Sequence, residues 1–204
     1  MLEWLWVLVS YLMGSIPFGL VVAHIFCRIN PQKGGSGNIG ATNVTRLCGL
    51  PAGIATLLFD AGKGAVAVYL GSHLFIMDPE LSRGTLFITL YALAAILGHM
   101  HSVFLKFRGG KAVATTLGIF LYLAPVQALI ATGLCVLVIA WKKYVSLGSL
   151  VLVTSLPLVI LVSGRLELAV LAFVSALLVI YAHRSNIGRL LRGEEKSWRR
   201  TGKA

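Results

Sequence analysis

A stretch of small and polar residues between Lys33 and Arg46 has more capacity for chemistry than any other part of the sequence. It contains four glycines within 34–40, and such a run lets successive backbone N–H groups turn toward one point and hold an anion. Arg46 adds a planar guanidinium group that matches the geometry of a phosphate. A flexible linker is the alternative, although a linker has no need of several amide side chains beside a basic residue. The residues expected to bind phosphate in this stretch are Ser36, Gly37, Asn38, Thr42 and Asn43.

A second loop that contains glycine lies at 106–111 and is also basic. Gly109 and Gly110 are expected to open a helix, which would leave backbone N–H groups and the positive end of the helix dipole facing the loop. Lys111, in the first turn of that helix, would then reach an anion held by these groups. The competing interpretation is an ordinary basic flank of a membrane helix.

Two further polar segments lie at 144–149 and 183–190. Ser149 is near the start of an apolar run, where a serine either caps the helix or binds a ligand, and both interpretations stay open. His183 precedes Asn186 and Arg189 in the last segment. A histidine at a helix end is commonly a polar anchor at the membrane interface, but beside these neighbours it also suits a phosphate contact.

Other kinds of catalysis have weaker support in the sequence. The five histidines are scattered and no cysteine–histidine spacing suits zinc, so neither a metal nor another cofactor is expected. Cys48 is near a glycine-rich loop but has no evident base, which favours direct transfer over a covalent intermediate. Asp60 and Lys63 share one helix face and are expected to form an ion pair that either braces the helix or serves the site. The H-x-x-x-x-D pattern from His73 to Asp78 is interpreted as chance.

The elements that must position these loops are membrane helices. The 204 residues are 57% hydrophobic and 12% charged, with a mean hydropathy of +0.87. Soluble domains are about 25% charged, so a soluble globular fold is excluded. The apolar runs lie at 3–26, 50–72, 84–105, 112–123, 126–141, 147–163 and 166–183. The predicted fold class is therefore all-α: a polytopic integral membrane protein with seven transmembrane helices, two of them short around Pro125.

The distribution of charge predicts which way the chain crosses the membrane. It has 18 Lys and Arg against 7 Asp and Glu, a net charge of +11. In the seven-span arrangement fifteen basic residues share the side of the C-terminus, which the positive-inside rule places in the cytoplasm, with the N-terminus outside. A single tilted helix over 112–141 would instead put the basic tail outside. Membrane topology thus accounts for the charge, and no nucleic-acid partner is expected. The predicted domains are one membrane domain over 1–194, with cytoplasmic active-site loops, and a basic cytoplasmic tail over 195–204.

Three motifs closely resemble, in this order, those of the PlsY family, the bacterial acyl-phosphate:glycerol-3-phosphate acyltransferases. They are G-S-G-N-I-G-A-T-N at 35–43, G-G-K-x-V-A-T at 109–115 and H-x-x-N-I-x-R-L at 183–190. Shorter matches are G-S-I-P at 14–17, D-x-x-K-G at 60–64 and S-L-G at 146–148. The resemblance covers about residues 11–194, and three separate motifs in the same order are highly specific.

The resemblance implies a multi-pass enzyme of the bacterial inner membrane with its active site on the cytoplasmic face. Such an enzyme moves a fatty acyl group from acyl phosphate to the 1-hydroxyl of glycerol 3-phosphate and forms lysophosphatidic acid and inorganic phosphate. The partners it implies are acyl phosphate, glycerol 3-phosphate, membrane lipid and, as a pathway link, an enzyme that forms acyl phosphate.

The resemblance also assigns roles to residues. Lys111, Arg46 and His183 would be catalytic, with Lys111 between the two anions. Ser149 and Lys111 would help to seat glycerol 3-phosphate, and the donor's own phosphate or His183 would take the hydroxyl proton. The full set of phosphate-binding residues would be Ser36, Gly37, Asn38, Thr42, Asn43, Gly109, Gly110, Ser149 and Asn186. A phosphate or organic-anion carrier is the alternative function, but it should place polar groups at the membrane midplane and on both faces.

Overall fold

The computed structural model describes residues 1–75 and 82–198, in which every regular element is helical. The chain divides into two compact units, Met1–Pro125 and Val126–Ala204. The first unit contains α1 (Leu2–Ser15), α2 (Phe18–Cys27), α3 (Ala41–Cys48), α4 (Leu50–Phe75), α5 (Ser82–Met100) and α6 (Val113–Leu123), with 3-10 turns at Pro31–Lys33 and Val103–Leu105. The other helices are α7 (Pro125–Lys142), α8 (Val145–Val162), α9 (Leu166–Ala182) and α10 (Arg184–Leu191). Asp78 of the H-x-x-x-x-D pattern lies outside the described residues.

Most of these helices have the length and composition of membrane spans. Within the described residues, five segments are long and apolar enough to cross a membrane, and α9 with α10, bent by 65°, makes a sixth. The helix α6 is apolar but has only eleven residues. Large apolar side chains face outward, including Trp141 at 74% exposure and Val162 at 90%, as expected where lipid replaces water. The all-helical membrane fold is therefore confirmed, with five or six candidate spans by this measure.

The first apolar run is broken between α1 and α2 at Ile16 and Pro17. Proline has no N–H group, so it cannot continue the hydrogen bonds of α1. Side chains from elsewhere in the first unit satisfy the carbonyl groups at the break. Ser102 Oγ donates to the Ser15 oxygen at 2.5 Å, and Lys63 Nζ donates to the Ile16 oxygen at 2.9 Å. The break is thus tied to α4 and to the segment that follows α5.

The helices α4 and α6 approach each other closely because glycines line their contact. A Cβ atom on Gly64 would lie 2.5 Å from the Thr115 carbonyl oxygen, and one on Gly118 would overlap the Ala61 carbonyl group. Small residues are the usual means by which membrane helices come into backbone contact. This contact positions the start of α6, which directly follows the 106–111 loop.

Two segments that lie outside the predicted apolar runs, 30–49 and 184–193, each contain a helix. Within the first, α3 buries Val44 completely against a cluster of Val22, Ala23 and Ala52. Within the second, α10 carries Ile187, Leu190 and Leu191 at helical spacing. Both helices are too short and too polar to resemble a membrane span, which is why the search for long apolar runs missed them.

Candidate active site

The glycine-rich loop before α3 is organised around the side chain of Asn43. Its Oδ1 accepts a hydrogen bond from the Ser36 N–H at 2.8 Å. Its Nδ2 donates to the carbonyl oxygens of Pro31, Gly34 and Asn38 at 3.0, 3.1 and 2.8 Å. Asn43 is 2% exposed, and its amide group satisfies backbone groups that the turning loop would otherwise leave without partners. The structure therefore places Asn43 as the residue that holds the loop together.

The remaining polar residues of the loop and of α3 differ in how far they are exposed to solvent. Asn38 Oδ1 accepts a hydrogen bond from the Gly40 N–H at 2.8 Å, so it helps to begin α3. Ser36 and Gly37 are exposed at the tip of the loop, where Gly37 has a φ of +70° that favours glycine. Thr42 and Arg46 are half-buried on the first and last turns of α3. The N–H groups of Ser36, Gly37 and Gly40 are bonded within the loop, so they do not form the expected anion nest. The groups of the tip and α3 that suit a phosphate are therefore the hydroxyls of Ser36 and Thr42 and the guanidinium of Arg46.

In the second loop, the backbone N–H groups of the two glycines have other partners than the sequence predicts. The Gly109 N–H donates to the Met100 oxygen at 3.0 Å, and the Gly110 N–H donates to the His99 oxygen at 2.9 Å. These N–H groups are therefore bonded to the end of α5, and the prediction that they face an anion at the start of a helix is wrong. Because these bonds hold 109–110 against α5, α6 begins only at Val113.

Lys111 follows the two glycines and precedes the helix, instead of lying in its first turn as predicted. Ala112 is the N-cap residue, with φ of 58° and ψ of 12°, in the left-handed region that costs a residue with a Cβ atom about 1 kcal/mol or more. The side chain of Ala112 is 1% exposed. Backbone bonds on one side and this turn on the other fix the direction in which Lys111 leaves the loop.

One side-chain bond joins the two loops of the first unit. Gln32 Nε2 donates to the Arg108 carbonyl oxygen at 3.0 Å, across 76 residues of sequence. Gln32 belongs to the 3-10 turn that opens the glycine-rich loop, and Arg108 directly precedes Gly109. The structure thus brings together two segments that the sequence analysis selected separately. Gln32 itself was missed, because a single glutamine outside a motif carries no signal in one sequence.

Three ionisable side chains lie buried beneath the second loop. Asp60, Lys63 and His99 are 1%, 5% and 3% exposed. Lys63 Nζ lies 2.8 Å from Asp60 Oδ1, which confirms the predicted ion pair. His99 Nδ1 lies 3.6 Å from the same carboxylate oxygen. His99 could not be singled out from the other histidines in the sequence, because its closeness to Asp60 exists only once α4 and α5 pack.

In the second unit, polar residues gather around the carboxylate of Glu195. Ser146 Oγ and Asn186 Nδ2 donate to Oε1 at 2.7 and 2.6 Å, and Arg189 Nε donates to Oε2 at 2.7 Å. Burial alone would raise the pKa of Glu195, but the hydrogen bonds from these three residues and the charge of Arg189 hold the pKa below its usual 4.5. A group of donors from α8 and α10 that binds a carboxylate has the chemistry of an anion site. Glu195 was not predicted as part of a site, and the only signal for it in the sequence is that it is one of just seven acidic residues.

His183 and Ser149 also belong to the second unit and are nearly buried, at 2% and 8% exposure. His183 Nδ1 lies 2.8 Å from the Val179 carbonyl oxygen, which accepts and cannot donate, so Nδ1 carries a proton. Any proton that His183 gains or loses in a reaction therefore moves at Nε2. Ser149 lies three residues after Ser146 and so shares its face of α8.

The cysteines nearest the glycine-rich loop are paired with each other. Cys27 and Cys48 form a disulfide with a Cα–Cα distance of 5.8 Å, which closes the segment that holds the whole loop. No group of three or more His, Cys, Asp or Glu side chains is placed to hold a metal ion in the described ranges 1–75 and 82–198.

Known proteins match the chain over nearly its full length. A family model described as glycerol-3-phosphate acyltransferase matches residues 4–193. The relatives that bear the name glycerol-3-phosphate acyltransferase include proteins from three bacteria. The one from Nitratidesulfovibrio vulgaris is 51% identical over 96% of this chain and 58% of its own length. Those from Desulfovibrio desulfuricans and Lawsonia intracellularis are 50% and 45% identical, each over 97% of this chain, and over 86% and 96% of their own lengths. The chain thus spans little more than half of the first relative and most of the other two.

Two crystal structures share the fold. Both are of PlsY, an integral membrane glycerol 3-phosphate acyltransferase. The glycerol 3-phosphate form has a TM-score of 0.88 and 37% identity, covering 97% of this chain and 96% of that one. The lysophosphatidic acid form has a TM-score of 0.85 and 38% identity, covering 97% and 95%. With the three motifs in place and the fold shared, the chain belongs to the PlsY family of integral membrane glycerol-3-phosphate acyltransferases.

Proposed function

We propose that this chain transfers a fatty acyl group from acyl phosphate to the 1-hydroxyl of glycerol 3-phosphate, giving lysophosphatidic acid and inorganic phosphate. The observation that carries the proposal is the Gln32–Arg108 hydrogen bond, which joins the glycine-rich loop to the loop of Lys111. Two anion-binding segments held side by side suit a reaction in which both substrates carry phosphate. The related crystal structures in glycerol 3-phosphate and lysophosphatidic acid forms support the acceptor and the product.

The chemistry of the available groups supports acyl phosphate as the donor. Acyl phosphate is a mixed anhydride with a good leaving group, so positioning and charge stabilisation suffice for the reaction. The 1-hydroxyl oxygen attacks the acyl carbon, the carbon–oxygen bond to phosphate breaks, and phosphate leaves with the electron pair. The hydroxyl proton goes to the departing phosphate, or to His183 at Nε2. Neither a metal nor a covalent enzyme intermediate takes part in this scheme.

We assign the residue roles within each unit. In the first, Ser36, Thr42 and Arg46 bind the donor phosphate in the loop that Asn38 and Asn43 shape, with Gly37 at its tip. Lys111 stabilises the charge that develops between the two anions and helps to bind glycerol 3-phosphate, while Gly109 and Gly110 set its backbone. In the second, Ser149 helps to bind glycerol 3-phosphate, and His183 and Asn186 contact phosphate.

We also propose the membrane arrangement that the charges favour. It has seven spans, the N-terminus outside the bacterial inner membrane, and the catalytic loops in the cytoplasm. Acyl phosphate would come from an enzyme that forms it from an activated fatty acid. The lipid product would then stay in the membrane.

The test is acyl transfer by the purified protein in detergent. With acyl phosphate and glycerol 3-phosphate, in the presence of EDTA and without ATP, we expect lysophosphatidic acid and phosphate in equal amounts. Acyl-CoA in place of acyl phosphate should give no product. A Lys111→Ala variant, purified in parallel, controls for contaminating acyltransferases.

The same protein in vesicles tests the carrier alternative. The Pro17 break between α1 and α2 favours that alternative, because many carriers bind substrates at interrupted helices. If detergent samples form no lysophosphatidic acid while vesicles accumulate glycerol 3-phosphate, the chain is a carrier and the enzyme proposal is overturned.

A further inference from the structure

Asp60 and His99 stand apart from the residues that the proposed reaction uses, yet they lie directly under one of its loops. Asp60 is on α4 and His99 is near the end of α5, and both are buried. Charged groups inside a membrane are costly, so a site that keeps them calls for a function beyond helix packing. Lys63 already has a structural role, because its Nζ donates a hydrogen bond to the Ile16 oxygen at the helix break.

His99 contacts the Gly109–Gly110 segment through its backbone and its ring. Its carbonyl oxygen accepts the Gly110 N–H bond at 2.9 Å. Its Nε2 lies so close to Gly110 that a Cβ atom on that residue would overlap the ring. On the other edge of the ring, Nδ1 faces Asp60 Oδ1 at 3.6 Å. The imidazole is therefore placed between a fixed carboxylate and the backbone from which Lys111 emerges.

We propose that Asp60 and His99 are positioning residues that set the direction of Lys111. Asp60 orients the imidazole by attracting the proton on Nδ1, and the ring then supports Gly110 from below. The left-handed turn at Ala112 holds the other side of Lys111. Neither Asp60 nor His99 touches substrate in this scheme. The inference rests on the proposed function, because it acts through the role assigned to Lys111.

The first experiment measures steady-state kinetics of His99→Ala in detergent. A displaced Lys111 should lower kcat/KM for glycerol 3-phosphate about tenfold or more and raise its KM, while the KM for acyl phosphate stays within about twofold. A purely structural role would instead reduce the active fraction, which lowers the apparent kcat and leaves both KM values unchanged. His101→Ala is the matched control, since His101 is exposed and Tyr11 bonds only to its carbonyl oxygen. It should behave as the wild type.

A second pair of variants tests whether the effect passes through Lys111 and Gly110. In a Lys111→Ala background, His99→Ala should change activity by less than about twofold, because the two residues act as one unit. Gly110→Ala should impair the wild type, since its methyl group meets the ring. In the His99→Ala background the vacated space accepts that methyl, so Gly110→Ala should add little further loss.

To test the role of Asp60, its charge must be removed together with that of Lys63, because a single substitution would leave the other charge buried without its partner. Asp60→Asn with Lys63→Met removes both charges, and the protein should still fold. We expect a raised KM for glycerol 3-phosphate in this variant, as in His99→Ala.

The inference is overturned if these variants keep the wild-type KM for glycerol 3-phosphate, or if His99→Ala exerts its full effect without Lys111. The proposed function fails separately, when the wild-type protein forms no lysophosphatidic acid at all.

Discussion

Two lysines of the same loop differ in how the backbone presents them. Lys111 is half-buried and enclosed by the Gly109–Gly110 bonds and the Ala112 turn, whereas Lys106 is exposed. Removing a charge that stabilises a transition state in a confined site costs about two orders of magnitude or more in rate. Lys111→Ala should therefore lose at least that much activity in the lysophosphatidic acid assay, while Lys106→Ala should keep most of it. Equal losses in both variants would mean that the loop contributes only general positive charge.

Asn43 allows a sharper test of the glycine-rich loop, because only the amide group can make all four of its bonds. Asn43→Asp keeps an acceptor for the Ser36 N–H but loses the two N–H donors that three carbonyl oxygens share, and it sets a carboxylate against those oxygens. At about 1 kcal/mol for each N–H donor, the loop should lose about 2 kcal/mol of stability. We expect faster proteolysis within 31–43 and loss of activity.

The matched control is Asn30→Asp, which keeps the acceptor for the Gln32 N–H. Its loop and activity should remain intact, because aspartate caps a helical turn as well as asparagine does. A protected, active Asn43→Asp protein would show that the amide network does not hold the loop.

For single residues, the sequence predicted which segments contain the polar and basic groups of the site, but it did not predict the hydrogen-bond partners of those groups. The glycines and amides of 34–43 indicated an anion loop, but the amide of Asn43 bonds to carbonyl groups whose positions exist only in the folded loop. For the same reason, free N–H groups were expected at Gly109 and Gly110. Their partners, Met100 and His99 at the end of α5, are reached only because the folded chain turns back after α5.

At the scale of elements, the contact between α4 and α6 positions the chain that follows Lys111. Gly64 faces the Thr115 backbone at overlap distance, whereas a Cβ atom on Gly62, two residues earlier, meets nothing within 4 Å. Gly64→Ala should push the helices apart at a cost of about 1–3 kcal/mol. It should lower the midpoint of thermal unfolding in detergent and also reduce activity.

Gly62→Ala is the control for helix propensity. It should leave the midpoint unchanged or raise it, since alanine favours a helix over glycine by about 1 kcal/mol. Should both variants unfold at the same temperature, the close approach of α4 and α6 would not contribute to stability.

Glu195 joins α8 to α10, and its stabilising effect depends on pH. Its pKa in the folded protein is below 4.5, so its contribution is fully present above that value and is lost as the pH falls through the lowered pKa. Glu195→Gln should therefore be less stable than the wild type near neutral pH, and the difference should shrink below about pH 4.5. Thermal unfolding from pH 7 to pH 3 measures it.

The neighbouring Glu194 provides the comparison. Its carboxylate pairs with Arg192 at the surface, with more than half of both side chains exposed. Such exposed pairs contribute little, so Glu194→Gln should follow the wild type at every pH. A difference for Glu195→Gln that persists unchanged to pH 3 would contradict an ionised Glu195 as the source.

The elements themselves show where sequence patterns succeed and where they stop. Long apolar runs predicted α4, α5, α7 and α8 well, because a membrane span needs about 20 apolar residues. The short helices α3 and α10 are amphipathic and polar, and their stability comes from packing partners such as Val22 and Ala52 against Val44. Nothing in a single sequence indicates those partners.

For the whole molecule, composition alone excluded a soluble fold, and the three motifs indicated the family that the comparisons then confirmed. The number of spans is harder to predict, because α6 has eleven residues and α9 continues into α10 through a bend of 65°. For such helices, length and hydropathy do not decide whether the segment crosses the membrane. The distribution of charge then becomes the main argument, and it yields a topology that labelling can test.

That topology predicts opposite sides for two serines of the second unit. Ser163 follows α8 at the turn before α9, and Ser197 lies beyond α10. Single cysteines at these positions, in an active background with Cys27, Cys48 and Cys135 replaced by alanine, can be labelled with an impermeant maleimide. In right-side-out membrane vesicles Ser163→Cys should react, and Ser197→Cys should react only after the membrane is opened. Inverted vesicles should reverse the pattern. If Ser197→Cys reacts in intact right-side-out vesicles, the basic tail lies outside, and the positive-inside argument for cytoplasmic catalytic loops fails.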